Sequence, residues 1–231
     1  MTAALQVDAL SVSRGESPVV HQATLRAEPG AVTVLLGANG AGKTTLLDGI
    51  AGLARATEGR VAIGDVELSG LPTYRRARSG IGYAEQARTV FATLTLEQNL
   101  LVCGHDVGTV YKLFPELERR RALPAANLSG GEQQMLVLGR AFIAEPRIVL
   151  IDEMSLGLAP VVVRRLMKAV ADLAAMGIGV LLVEQFANLA LEIGAHAYVL
   201  RKGRVVYDGP CAELRDDADR LHEAYFGGGA S

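Results

Sequence analysis

Apolar and polar residues alternate along Leu5–Arg14. Leu5, Val7 and Ala9 share one side against Gln6 and Asp8, and Val12 stands between Ser11 and Ser13. A period of two belongs to a strand with one buried face. Residues 24–27 and 60–68 read as further short strands with glycine turns, so an antiparallel layer is expected early in the chain. Three runs are apolar throughout: Val32–Leu36, residues 148–151 and residues 180–183. Such runs fit strands covered on both faces, and residues 81–83 form a fourth candidate. Residues 42–53 read as a helix, and from 87 to about 140 the character is helical. There Thr95 and Gln98 form a capping box for a helix to 102, and Pro115 breaks a charged segment over 110–121. Ser129 and Glu132 form a second box opening a helix over 132–144, which Pro146 stops. A helix over 160–176 has Pro160 in its first turn; a helix over 186–193 and a hairpin over 198–208 around Lys202-Gly203 follow. Alternating strands and helices imply an α/β fold with a parallel sheet covered on both faces. The tail Gly227-Gly-Gly-Ala-Ser231 is expected to fray.

Composition narrows the possibilities. The chain has 231 residues, half of them hydrophobic, enough for one large α/β domain with or without an insertion. Aromatic residues make up only 5%, without Trp, and 23 Lys+Arg against 25 Asp+Glu leave a net charge of −2. Neither a stacking platform nor a polyanion-binding surface is indicated, so nucleic acid is not an expected partner. Cys103 and Cys211 lack metal-ligand spacing and read as free thiols of a reducing compartment rather than a disulfide. The longest apolar run, residues 177–183, is far shorter than the roughly 18 residues a membrane span needs, and Met1-Thr-Ala-Ala-Leu5 does not read as a leader. A soluble, cytoplasmic chain is expected, with any membrane crossed by another subunit.

The chemistry concentrates in three motifs. Gly37-Ala38-Asn39-Gly40-Ala41-Gly42-Lys43-Thr44-Thr45 follows an apolar strand and opens a helix. Glycines let the backbone wrap an anion with its N–H groups turned inward, Lys43 reaches the β- and γ-phosphates, and the Thr44 hydroxyl suits Mg²⁺. The plain alternative is a glycine-rich turn that binds nothing; the complete pattern in its strand–helix setting favours a nucleoside triphosphate. Residues 148–151 deliver Asp152 and Glu153 to a strand end, where Asp152 would hold Mg²⁺ and Glu153 would orient and deprotonate water. Leu128-Ser-Gly-Gly-Glu-Gln-Gln134 is a second anion cradle, with a hydroxyl, two glycines and a helix N-terminus. It also reads as an ordinary capped helix start. One nucleotide does not need two cradles, so the economical reading gives the second to a nucleotide held by another chain.

These residues resemble the ATP-binding cassette of ABC transporters, in which Leu128–Gln134 is the signature. The likeness spans essentially the whole chain and is closest to ATPase subunits of branched-chain amino-acid importers. Leu94-Thr-Leu-Glu-Gln-Asn-Leu100, Val110-Tyr-Lys-Leu-Phe-Pro115, Ser155-Leu-Gly-Leu-Ala-Pro160 and Leu182-Val-Glu-Gln185 add to it. The resemblance implies a P-loop NTPase (RecA-like) core over about 1–86 and 140–231, with an antiparallel β subdomain and a helical subdomain inserted over about 87–139. It implies two cassettes pairing head to tail around two ATP molecules. Gly37, Asn39, Gly40, Ala41, Gly42, Lys43, Thr44 and Thr45 would hold one, and Ser129, Gly130, Gly131 and Gln133 would touch the partner's. Mg²⁺ would meet Thr44, Gln86 and Asp152; Glu153, Gln185 and Gln86 would serve hydrolysis. Permease subunits would hold the cassette at the inner face of the membrane, and a solute-binding protein would be reached only indirectly. Import of branched-chain amino acids or a similar small polar solute is the implied role. A non-transport cassette and a degenerate, regulatory cassette are the alternatives.

Several positions depart from the family pattern. Arg14 stands where an adenine-stacking aromatic is usual, either stacking through its guanidinium plane or lying solvated. Met154 replaces a proline, which would loosen the turn at Glu153. Gln185 replaces a histidine, and Glu85 rivals Gln86. The segment over 100–110 is shorter than in relatives. His21, His105, His196 and His222 read as partnerless surface or packing residues, and Tyr74-Arg-Arg-Ala-Arg78 as a solvated helix face.

Overall fold

The computed structural model describes residues 3–86 and 89–227. Its elements run β1 (Leu5–Arg14), β2 (Ser17–Ala27), β3 (Val32–Leu36), α1 (Lys43–Ala51), β4 (Arg55–Ile63), β5 (Val66–Glu67), α2 (Thr73–Arg78) and β6 (Ile81–Ala84). There follow α3 (Leu96–Leu101), α4 (Val107–Leu113), α5 (Pro115–Glu118), α6 (Gly130–Ile143), β7 (Ile148–Asp152) and α7 (Pro160–Ala175). The chain closes with β8 (Gly179–Val183), α8 (Ala187–Ile193), β9 (His196–Arg201), β10 (Arg204–Pro210), α9 (Cys211–Arg215) and α10 (Ala218–Phe226).

The larger sheet has the order β10-β9-β3-β8-β7-β6, parallel except for the edge strand β10. The smaller sheet, β2-β1-β4-β5, is antiparallel. Helix α1 lies between the two: Leu46, Leu47 and Ile50 pack with Leu5, Val7 and Val12 of one sheet and Leu35, Leu150 and Leu181 of the other. On the opposite face, Leu136 of α6 and Leu166 and Val170 of α7 join Val34, Val149 and Leu182. The uniformly apolar strands thus divide their side chains between two cores, each fully buried leucine contributing roughly 1.5–3 kcal/mol.

The alternation in β1 breaks at Ala9, which is exposed with φ 46° while Leu10 takes the buried place. A bulge between Val7 and Leu10 slips the register by one residue. Strand β2 begins at Ser17, not at 24, and the expected strand over 60–68 is the end of β4, a turn and the short β5. The segment over 110–121 resolves into α4 and α5, with Pro115 starting the second, and α6 starts at Gly130, two residues before Glu132. Both capping boxes form, at Thr95–Gln98 and Ser129–Glu132.

Arg76 is not solvated. It is 4% exposed, and its guanidinium donates to the carbonyls of Gly49 and Ile50 (both 2.8 Å) and of Leu71 (2.9 Å), satisfying the C-terminal end of α1. His196 has a partner in Asp208 at 2.6 Å. Cys103 and Cys211 are free thiols. Among the described residues no helix is long and apolar enough to cross a membrane. The expected fraying of residues 228–231 lies outside the described residues, as do Ala87 and Arg88.

Candidate functional site

The chemical groups gather because four neighbouring parallel strands end on the same edge of the sheet. The phosphate loop leaves β3, Gln86 follows β6, Asp152 and Glu153 end β7, and Gln185 follows β8. Open parallel sheets present ligand sites at this carboxyl edge. A cavity of about 690 Å³ lies there, lined by Asn39, Gly40, Gly42, Lys43, Thr44, Thr45, Gln86, Glu153 and Gln185, and also by Arg14, Val19 and Leu156.

The loop's shape follows from its glycines. A Cβ on Gly37 would sit 2.2 Å from the carbonyl oxygen of Leu200, so only glycine lets the loop leave β3 against β9. Gly40 and Gly42 have φ of 79° and 106°, which glycine adopts without strain. The hairpin between β9 and β10 braces the loop from outside, since Gly203 N–H donates to Ala41 O at 2.9 Å. Helix α1 starts at Gly42 without any side-chain cap, so its first N–H groups face the cavity.

Lys43 is 5% exposed and donates to the Gly37 carbonyl at 2.8 Å, with its ammonium 3.5 Å from Glu153. Gln86 donates to the other Glu153 oxygen at 3.0 Å. Glu85 instead lines a separate groove of about 380 Å³ between β6 and α6, together with Tyr83, Cys103 and Arg140. The geometry therefore sets Gln86, not Glu85, beside the acid. Glu153 itself has φ 44°, a left-handed backbone that its N–H bond to Val183 O (2.9 Å) holds in place. Met154, next in the chain, is 1% exposed and packs in the core, which anchors the residue after Glu153.

Burial pushes the Asp152 carboxyl up to about 6, opposed by the nearby Thr44 hydroxyl and reinforced by the charges of Glu153 and Asp48. Neither of its oxygens completes a hydrogen bond of ordinary geometry. A buried carboxylate left so, next to a hydroxyl, suits a hard cation that brings its own charge. Arg14 is tied by its guanidinium edge to Asp48 (2.8 Å) and Thr45 (3.1 Å) and is part of the cavity lining.

The second cradle stands apart. Ser129, Gly130, Gly131 and Gln133 line none of the cavity around Lys43. Ser129 is exposed and spends its hydroxyl on the α6 cap, and Gln133 donates to Ala125 O at 3.1 Å. Gly131 is a packing requirement, since a Cβ there would meet Val162 of α7 at 2.7 Å. Val19 and Leu156 escaped the sequence reading. Val19 lies in the first half of β2, which carries no clear period, whereas Leu156 had a signal in being apolar within a loop.

A family model described as ABC transporter matches residues 20–155. The branched-chain amino acid transport ATP-binding protein BraG of Pseudomonas aeruginosa is 38% identical over 233 residues, covering 97% of this chain and 100% of that one. A probable LivF of Archaeoglobus fulgidus is 37% identical over 196 residues (79% and 82%). The lipopolysaccharide export ATP-binding protein LptB of Acidithiobacillus ferridurans is 32% identical over 237 residues (98% of both). Among solved structures, the ATP-binding subunit of an ABC transporter superposes with a TM-score of 0.81 at 28% identity, covering 94% of this chain and 97% of that one. Sequence, topology and site agree: the chain belongs to the ABC transporter family, as an ATP-binding cassette of the kind that hydrolyses ATP to power transport.

Proposed function

We propose that this cassette energises the import of branched-chain amino acids, working in pairs beneath permease subunits at the inner face of the membrane. The solute follows the likeness to BraG and LivF. The observation that carries the rest is the separation of the two cradles: Lys43, Gln86, Glu153 and Gln185 share one cavity, while Ser129 is exposed and is not part of its lining. Each chain then supplies the phosphate loop for one ATP and the signature for the other. We read the whole chain as a single ATPase domain, with a core over about 1–86 and 140–231 and a helical subdomain over about 87–139.

In this reading Lys43 and the loop N–H groups bind the β- and γ-phosphates, and Gln185 donates to the γ-phosphate. Glu153 takes the proton of the attacking water while Gln86 fixes the carboxylate's orientation. Asp152, Thr44 and Gln86 would hold Mg²⁺, which supplies charge neutralisation to the phosphates. Among the described residues no three His, Cys, Asp or Glu cluster as a metal cage. The groove of Tyr83, Glu85 and Arg140 adjoins Gln86 along β6, which makes it the place for a permease segment to reach the site.

Two measurements test the reading. Glu153→Gln protein with Mg-ATP should sediment as a dimer, and a strictly monomeric species at saturating ATP overturns the pairing. Deleting the gene should abolish uptake of radiolabelled leucine, isoleucine and valine. Intact uptake with a leaky cell envelope would instead favour the export role in LptB's name.

A further inference from the structure

Glu184 is an acid that the scheme above leaves unused. It lies between the end of β8 and Gln185 with no exposed surface. Its carboxylate accepts the hydroxyl of Ser155, which is 2% exposed. Burial pushes the Glu184 carboxyl up to about 7, against hydrogen bonds from Ser155 and from the Gln185 backbone, and no ion pair to it forms among the described residues. An unpaired carboxyl taken out of water is a cost to the fold unless hydrogen bonds hold it.

Its place explains what it does. Ser155 belongs to the segment between β7 and α7 that begins at Glu153 and continues into Leu156, which is half-exposed and lines the cavity. Glu153 N–H already donates to Val183 O. The Ser155–Glu184 bond is a second tie between the same two loops, one residue further along β8 and two further along β7. Glu153 and Gln185 flank this pair of ties. A hydrogen bond from the backbone alone leaves a loop free to swing about it; two at neighbouring positions do not.

We propose that Glu184 is a positioning residue for hydrolysis: by gripping Ser155 it fixes Glu153 and Gln185 relative to one another. This rests on the roles given above to Glu153 and Gln185. A misplacement of about 1 Å at such groups is enough to lower a rate substantially without touching substrate binding.

The test compares Glu184→Ala, Glu184→Gln, Ser155→Ala and the double Glu184→Ala/Ser155→Ala variant in the full chain, reading kcat, KM for ATP and Tm, with Glu153→Gln as control. Glu184→Ala should lower kcat about tenfold with KM within twofold, because the phosphate loop is untouched. Glu184→Gln keeps an acceptor for Ser155 and should keep kcat within twofold. Ser155→Ala should match Glu184→Ala, and the double variant should lose no more than either single. An unchanged kcat in Glu184→Ala, losses that multiply in the double variant, or an equal loss in Glu184→Gln would each overturn the proposal. Should Glu184→Ala not fold, Ser155→Ala and Glu184→Gln decide it alone. If Glu153→Gln turns over normally, the site assignment fails instead, and the two failures are told apart.

Discussion

The two anion cradles of this chain, both at helix N-termini, are built on opposite plans. The start of α1 has no side-chain cap, a buried lysine, and two acids at the adjoining strand end. The start of α6 closes its own donors with the Ser129–Glu132 box and sits at the surface. Their acids differ as well. Near α1, burial drives Asp152 up to about 6 and Glu184 up to about 7. At α6, burial pulls Glu132 upward but hydrogen bonds from Ser129 and Arg120 outweigh it, leaving its pKa lowered. The first cradle leaves its backbone donors open beside a buried lysine and two acids; the second has its donors closed by its own side chains. A likeness of sequence motif thus covers a difference of physical kind.

The largest expected effect tests the first cradle. Glu153→Gln should lower ATP turnover a hundredfold or more, about 3 kcal/mol of barrier, with ATP affinity retained in a filter or calorimetric assay. Normal turnover would remove Glu153 from the chemistry. Next comes the acid–base contrast. With Glu184 protonated in the fold up to about pH 7, the native state holds more protons than the unfolded chain between about pH 4.5 and 7. Stability is therefore lost as pH rises through that window, on the order of 2–3 kcal/mol from Glu184, with Asp152 adding a loss of the same sign below about pH 6; Glu184→Gln should lessen the fall in a urea series without abolishing it. Glu132 acts with the reverse sign, its contribution fading as pH drops below its unfolded value. The smallest effect concerns Ser129→Ala. It should cost the α6 cap about 1 kcal/mol and leave ATP affinity of the monomeric chain unchanged, while lowering concentration-dependent hydrolysis. A drop in monomer affinity would merge two cradles held here to be separate.

How much of this was legible beforehand depended on whether the physics was local. Gly37–Thr45 and Asp152-Glu153 could be read directly, since phosphate and cation chemistry demands those residue types at that spacing after an apolar strand. The capping boxes at Thr95 and Ser129 could be read for the same reason. The bulge at Ala9 left a trace that the alternation was not pressed for: Leu10 and Val12 stand one residue out of phase with Leu5 and Val7, while the partners that fix the slip lie in other strands. Arg76 looked like one of several surface arginines because the carbonyls it satisfies, Gly49 and Ile50, lie more than twenty residues earlier. Glu184 passed as part of a family stretch, its burial and its bond to Ser155 being visible only once β7 and β8 are side by side.

The brace from the β9–β10 hairpin has a consequence for biosynthesis. Ala41 is anchored by Gly203, made some 160 residues later, and Gly37 is seated on Leu200. Closing so long a loop is slow and comes late. A ribosome-bound fragment that has passed Thr45 but not Lys202 carries the nucleotide motif without the wall that shapes it. Cellular ATP, acting by mass action on the shaped loop, should therefore favour the finished molecule over such a fragment.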